Sequence, residues 1–134
     1  MSTEGVVVEG WATPKGYSNG RIGRGAVLHV AGQIGWDAQE KFVSKDLVGQ
    51  FAQALTNVIA IVHAARGKVS DIAEMTVYVT DIEAYRAARK QLGPVWKERM
   101  QNHFPAMALV AVSSLVELEA LVEIQAVAYL EHAE

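Results

Sequence analysis

Phe104-Pro-Ala-Met-Ala-Leu-Val-Ala-Val112, followed after a short link by Leu121-Val-Glu-Ile-Gln-Ala-Val-Ala128, reads as a pair of strands. Both stretches are short and rich in small and β-branched residues, and the first is entered through a proline. Alternation in the second puts Val122, Ile124, Ala126, Ala128 and Leu130 on one side and Glu123, Gln125, Val127 and Tyr129 on the other. Working outward, Val6–Glu9, Ala26–Ala31 and Ala73–Thr80 read as further strands, and the stretch from Leu121 runs on to Glu131. A short piece at Lys41–Val43 is placed to pair with the strand before it. In the strand from Ala73, Met75, Val77 and Val79 share the apolar side, with Glu74, Thr76 and Tyr78 opposite.

Two segments carry a helical period instead. Between Leu47 and Arg66, Val48, Phe51, Leu55, Val58, Ile59 and Val62 recur three and four apart, and Gly67 offers a C-terminal stop. A second helix starts at Thr80 as N-cap with Glu83 in capping-box position and runs toward Gln101, with a kink expected at Gly93-Pro94. Strands, helix, strand, helix, strands make an α+β chain, residues 1–134 forming one domain with both helices on one face of one mixed sheet. Two helices cover only one face, so the other must be polar, closed on itself or packed against other subunits.

The 134 residues suffice for a single core. With no cysteine there is neither disulfide, thiolate metal site nor cysteine nucleophile, which suits a reducing cytoplasm. A net charge of −3 argues against a surface built for nucleic-acid phosphates. No apolar run approaches the ~20 residues of a bilayer span, and the N-terminus lacks the pattern of a secretion signal. Hydrophobic residues make up 51% and charged residues 20%, so part of the apolar surface is expected to meet another subunit.

Several residues stand out chemically. Tyr17 follows Gly16 in a turn-rich stretch; such a tyrosine commonly packs under a loop, and its hydroxyl can also reach a cleft. Ala31-Gly32 ends a strand, where glycine makes a simple turn or lets a ligand approach the backbone. Glu123 between two apolar neighbours would have a raised pKa and could position water, or pair with a cation across a subunit boundary. Arg89 interrupts an apolar stripe formed by Tyr85, Leu92 and Trp96 on the second helix. It either pairs with Glu74 or recognises an anion. Gly20-Arg-Ile-Gly-Arg-Gly25 precedes a strand without a following helix, so it reads as a turn with Arg21 and Arg24 exposed, not as a phosphate loop. His29, His63, His103 and His132 show no metal-ligand spacing, and no metal site is expected.

With Gly16-Tyr17-Ser18, Val30-Ala31-Gly32-Gln33-Ile34 and Phe104-Pro105-Ala106 in this order, the chain resembles the Rid family, also called YjgF or endoribonuclease L-PSP, over nearly its whole length. The resemblance implies a chorismate-mutase-like fold, a barrel-cored homotrimer, and small-molecule clefts between adjacent subunits. It implies that Tyr17 lines the cleft, that the backbone at Ala31 and Gly32 holds the ligand, and that Glu123 lies near the reacting carbon. Deaminating members carry an arginine where this chain has Met107. That arginine grips a substrate carboxylate through charge-assisted bonds of roughly 1.5–3 kcal/mol each, so its loss costs about tenfold or more. Leu109 makes the same wall more apolar. Glu74 takes the place of a lysine and Arg89 that of an asparagine found near the cleft in some deaminases.

The resemblance therefore implies hydrolysis of a small enamine or imine to a carbonyl and ammonia, assisted by Glu123 and Tyr17 without metal or organic cofactor, on an atypical substrate. A non-catalytic protein that holds a metabolite in the same cleft is the alternative. The ribonuclease or translation-inhibitor activity ascribed to some relatives is disfavoured by the acidic charge. Neither nucleic acid nor membrane is expected as a partner.

Overall fold

In the computed structural model, residues 2–131 are described. The elements in chain order are β1 (Thr3–Val6), β2 (Gly20–Gly23), β3 (Ala26–Ile34), α1 (Leu47–Ala64), β4 (Ile72–Val79), α2 (Ile82–Met100), β5 (Ala106–Ala111) and β6 (Val122–Leu130), with a single 3₁₀ turn before β4. Four strands form the main sheet in the order β3-β6-β4-β5, in which β4 and β5 run parallel and the other pairs antiparallel. The sheet is therefore mixed, and both helices pack on one face of it.

The strand parities hold. Met75, Val77 and Val79 of β4 and Val122, Ile124, Ala126, Ala128 and Leu130 of β6 are buried. All of these but Leu130 meet Phe51, Leu55, Val58 and Val62 of α1 and Ala88 and Leu92 of α2 in one core. α1 is long and apolar enough on average to cross a membrane, with a mean hydropathy of 1.4 over its 18 residues. Here its apolar side is spent on the sheet. Met107 and Leu109 of β5 stand level with Met75 and Val77, so they too point toward the helices.

Several boundaries differ from expectation. β1 lies earlier than Val6–Glu9, and the glycine-rich run is strand β2, paired with β1, rather than a free turn. Its glycines serve close packing: a β-carbon at Gly23 would sit 2.3 Å from Tyr129 Cδ1, and one at Gly25 would sit 2.0 Å from the Leu130 carbonyl oxygen. Arg21 is only partly exposed, donating to Thr3 Oγ1 and Ser18 Oγ. α2 is capped by Asp81, which accepts from the Ala84 amide at 3.1 Å, and not by Thr80. The helix begins at Ile82, so Asp81 is the extended residue flanking it, and its carboxylate faces the amide of the third helical residue. Pro94 is accommodated inside α2. After α1 the left-handed residue is Arg66, not Gly67, whose lack of a β-carbon instead admits Leu130 and Val62. The piece at Lys41–Val43 contributes one bridge, Trp36 to Phe42. His132 lies outside the described residues.

Candidate functional site

Two of the stretches that stood out in the sequence are joined directly. The Ser18 amide donates to the Pro105 carbonyl at 2.9 Å, its hydroxyl donates to the Phe104 carbonyl, and Ser18 bridges to Ala106 beside β5. The turn is made possible by Gly16, whose φ of +81° is unfavourable for a residue with a β-carbon. Tyr17 is thereby held at the outer edge of β5, about 43% exposed. With Ser18, Asn19, Glu74 and Ala108 it lines a shallow depression of about 260 Å³. Glu74 lies on the uncovered face of β4.

Glu123, Gly32 and Ala31 form a second group at the β3–β6 seam. Val30 pairs with Ala126 and Gln33 with Ile124, so Ala31 and Gly32 together stand against Gln125 in a β-bulge. The bulge lifts two residues out of the regular ladder. Gln33 Nε2 donates to the Ala31 carbonyl at 3.0 Å. The Glu123 carboxylate lies directly over Gly32: a β-carbon there would be 2.1 Å from Oε2 and 2.6 Å from Cδ. Buried Gln50 supports this seam. Its Nε2 donates to the Ser44 and Glu119 carbonyls, and its Oε1 accepts from the Leu121 amide at 2.8 Å, anchoring the entry to β6. Asn57 holds the far end of β3 through the Ile34 and Trp36 carbonyls. Neither amide drew notice in the sequence, although a glutamine at a buried position of α1 was the signal available.

Met107, Leu109 and Arg89 form a third group, in a groove of about 440 Å³ between α2 and β5. Met107 and Leu109 are part of its floor. Trp96 and Phe104 make one wall, their rings nearly parallel at 5° with centroids 6.2 Å apart. Trp96 Nε1 donates to the His103 carbonyl, and His103 Nε2 donates to the Ile72 carbonyl at 2.6 Å, which ties the end of α2 to the start of β4. Burial lowers the His103 pKa below its ordinary value, only partly offset by that carbonyl bond. Asn102, also at this groove, was not singled out from the sequence, and Lys97 reads from the sequence only as part of a solvated basic strip with Arg86, Lys90 and Arg99.

Arg89 and Glu74 do not form an ion pair. Glu74 lies on the open face of the sheet and Arg89 lines the groove on the helix side. Among the described residues the ion pairs on α2 are Arg86 with Glu83 and Arg99 with Glu98. Among the same residues no group of three His, Asp or Glu is placed to hold a metal ion. Within one chain, then, the expected site residues occupy three places: the groove, the depression beside β5, and the bulge.

The family model described as endoribonuclease L-PSP matches residues 11–130. The chain is 35% identical over 101 residues to a RutC family protein of Pasteurella multocida, covering 72% of this chain and 78% of the relative. It is equally similar, over the same shares, to a 2-iminobutanoate/2-iminopropanoate deaminase of Salmonella typhimurium. A solved Rid-family structure from Yersinia pestis, described as of unknown function, superposes with a TM-score of 0.81 at 27% identity, covering 97% of this chain and all of the other. The chain belongs to the Rid family, the endoribonuclease L-PSP family of the matching model.

Proposed function

We propose that this chain is an imine or enamine deaminase-like Rid protein that hydrolyses a small reactive C=N compound to a carbonyl and ammonia. The observation that carries the reading is the Glu123 carboxylate laid over Gly32 in the β3 bulge, in a chain about a third identical to a protein named as an imine deaminase. A carboxylate beside unladdered backbone groups can accept a proton from water and direct its oxygen at an electrophilic carbon. Water adds to the imine carbon, its proton passes to nitrogen, and the carbinolamine collapses to release ammonia. Tyr17 would orient the substrate, and no metal or organic cofactor is required.

Because Glu123 and Gly32 stand apart from the α2–β5 groove on one chain, the working site in this reading forms between copies. The bulge of one subunit faces the groove of the next in a cytoplasmic homotrimer. Val116 and Leu118, just ahead of β6, are almost fully exposed and would be covered in such an assembly. Met107 favours a second reading, a non-catalytic metabolite binder, since the groove floor holds a thioether where deaminases hold a cation.

The test is ammonia release from a panel of imines generated freshly from amino acids, with Glu123→Gln alongside and the mass in solution measured. Release that Glu123→Gln abolishes supports the deaminase. No release from any imine, together with saturable binding of one metabolite, supports the binder.

A further inference from the structure

The groove between α2 and β5 has an unusual charge balance. Its charged lining residues are Arg89 and Lys97, and no carboxylate lines it. The rest is largely apolar or aromatic: Met107, Leu109, Leu92 and Tyr85 besides the stacked Trp96 and Phe104. Arg86 and Arg99 on the same helix are held by Glu83 at 2.6 Å and Glu98 at 2.9 Å, whereas Arg89 has no ion-pair or hydrogen-bond partner among the described residues. Arg89 is exposed, yet it lines a largely apolar groove and faces no anion of its own chain.

We propose that Arg89, with Lys97 as a secondary cation two turns along α2, is the anion anchor of this groove, and that the ligand is an amphipathic monocarboxylate whose aromatic or branched alkyl body lies over Met107 and Leu109 against Trp96. The proposal deepens the deaminase reading and rests on it for the ligand's imine carbon, but not for the groove's charge and shape. Arginine presents a planar fork that takes a carboxylate with two charge-assisted bonds. The floor that admits an apolar body is the one whose cation is missing. Moving the cation from β5 to α2 also shifts the carboxylate from the groove floor to its rim, which leaves the floor free for a side chain larger than methyl or ethyl. A volume of about 440 Å³ accommodates that.

The test is calorimetric binding of 3-phenylpropanoate, propanoate and 3-phenylpropanamide to the full-length protein, with Arg89→Met and Arg89→Lys compared. The expected order is 3-phenylpropanoate tightest, with affinity falling at least about tenfold in Arg89→Met and less in Arg89→Lys. Thermal unfolding should stay unchanged, because Arg89 holds nothing in the fold. Equal binding of acid and amide, of phenylpropanoate and propanoate, or of wild type and Arg89→Met would overturn the anchor. Imine turnover supplies the separate check. If Arg89-dependent binding is found while no imine is hydrolysed, the anchor stands and the deaminase reading falls. If hydrolysis of the phenylalanine-derived imine is as fast in Arg89→Met as in wild type, the deaminase reading stands and the anchor falls.

Discussion

Gly32→Ala isolates the role of the bulge with one methyl group. The added β-carbon would meet Glu123 Oε2 at 2.1 Å, Cδ at 2.6 Å and Cγ at 2.9 Å. Ordinary contacts begin near 3.5 Å, so the carboxylate must retreat by roughly 1 Å or more. What it meets is the far end of a flexible side chain, not backbone, and Gly32 does not occupy the left-handed region, so the fold absorbs the change. Stability should move by less than about 1 kcal/mol, since the entropy gained on losing a glycine offsets part of the displacement. Turnover should fall far more, because a misplacement of about 1 Å in a reacting group can cost on the order of a hundredfold. The assay is ammonia release under saturating imine, beside thermal unfolding of the same preparation. Wild-type turnover in Gly32→Ala, with Glu123→Gln inactive, would show that Glu123 works elsewhere than over the bulge. Wild-type turnover in both would remove Glu123 from the chemistry.

Met107→Arg places a guanidinium in the groove floor and should raise kcat/KM for 2-iminopropanoate by about tenfold or more; an unchanged value would mean that carboxylates do not reach the floor in this chain. His103 has a folded pKa lowered by burial, so the unfolded chain binds the extra proton first. Its contribution to stability is therefore complete above the unfolded value of about 6.5 and is lost as pH falls below it toward the folded value. Unfolding temperatures measured from pH 8 to pH 5 should drop more steeply in wild type than in His103→Asn, and parallel curves would refute this. Leu55 is fully buried between α1 and the sheet, and Leu55→Ala should cost about 2–5 kcal/mol in urea unfolding; a loss under 1 kcal/mol would mean that the layer collapses around the gap.

The layer arrangement was legible because burial imposes period. Met75, Val77 and Val79 alternate, Phe51, Leu55 and Val58 recur at helical spacing, and each pattern has one physical cause. β2 was not legible because its reason lies about a hundred residues away. Glycine at 23 and 25 is required by Tyr129 and the Leu130 carbonyl, neither of which a local reading can supply. The cap of α2 was displaced by one residue because Thr80 and Asp81 both suit the position, and only the path of the chain decides between them. Candidate site residues could be named, but not grouped. Whether Leu109 and Glu74 share a pocket depends on which face of β5 and β4 each occupies, and β5 is too uniformly apolar for alternation to tell. Gln50 and Asn57 escaped notice since an amide that holds a loop carbonyl leaves no mark on the hydrophobic pattern.

All the residues lining the groove except Gly16 and Phe51 fall between Val77 and Leu109, within the single excursion β4–α2–β5. The bulge with Glu123 belongs to β3 and β6. In the proposed reading, recognition and reactivity are thus written in separate blocks of the gene, and substitutions that remodel what is held need not disturb the groups that would attack it. A chain built this way can change its substrate by drifting in one block alone, and Met107 and Arg89 both lie in that block.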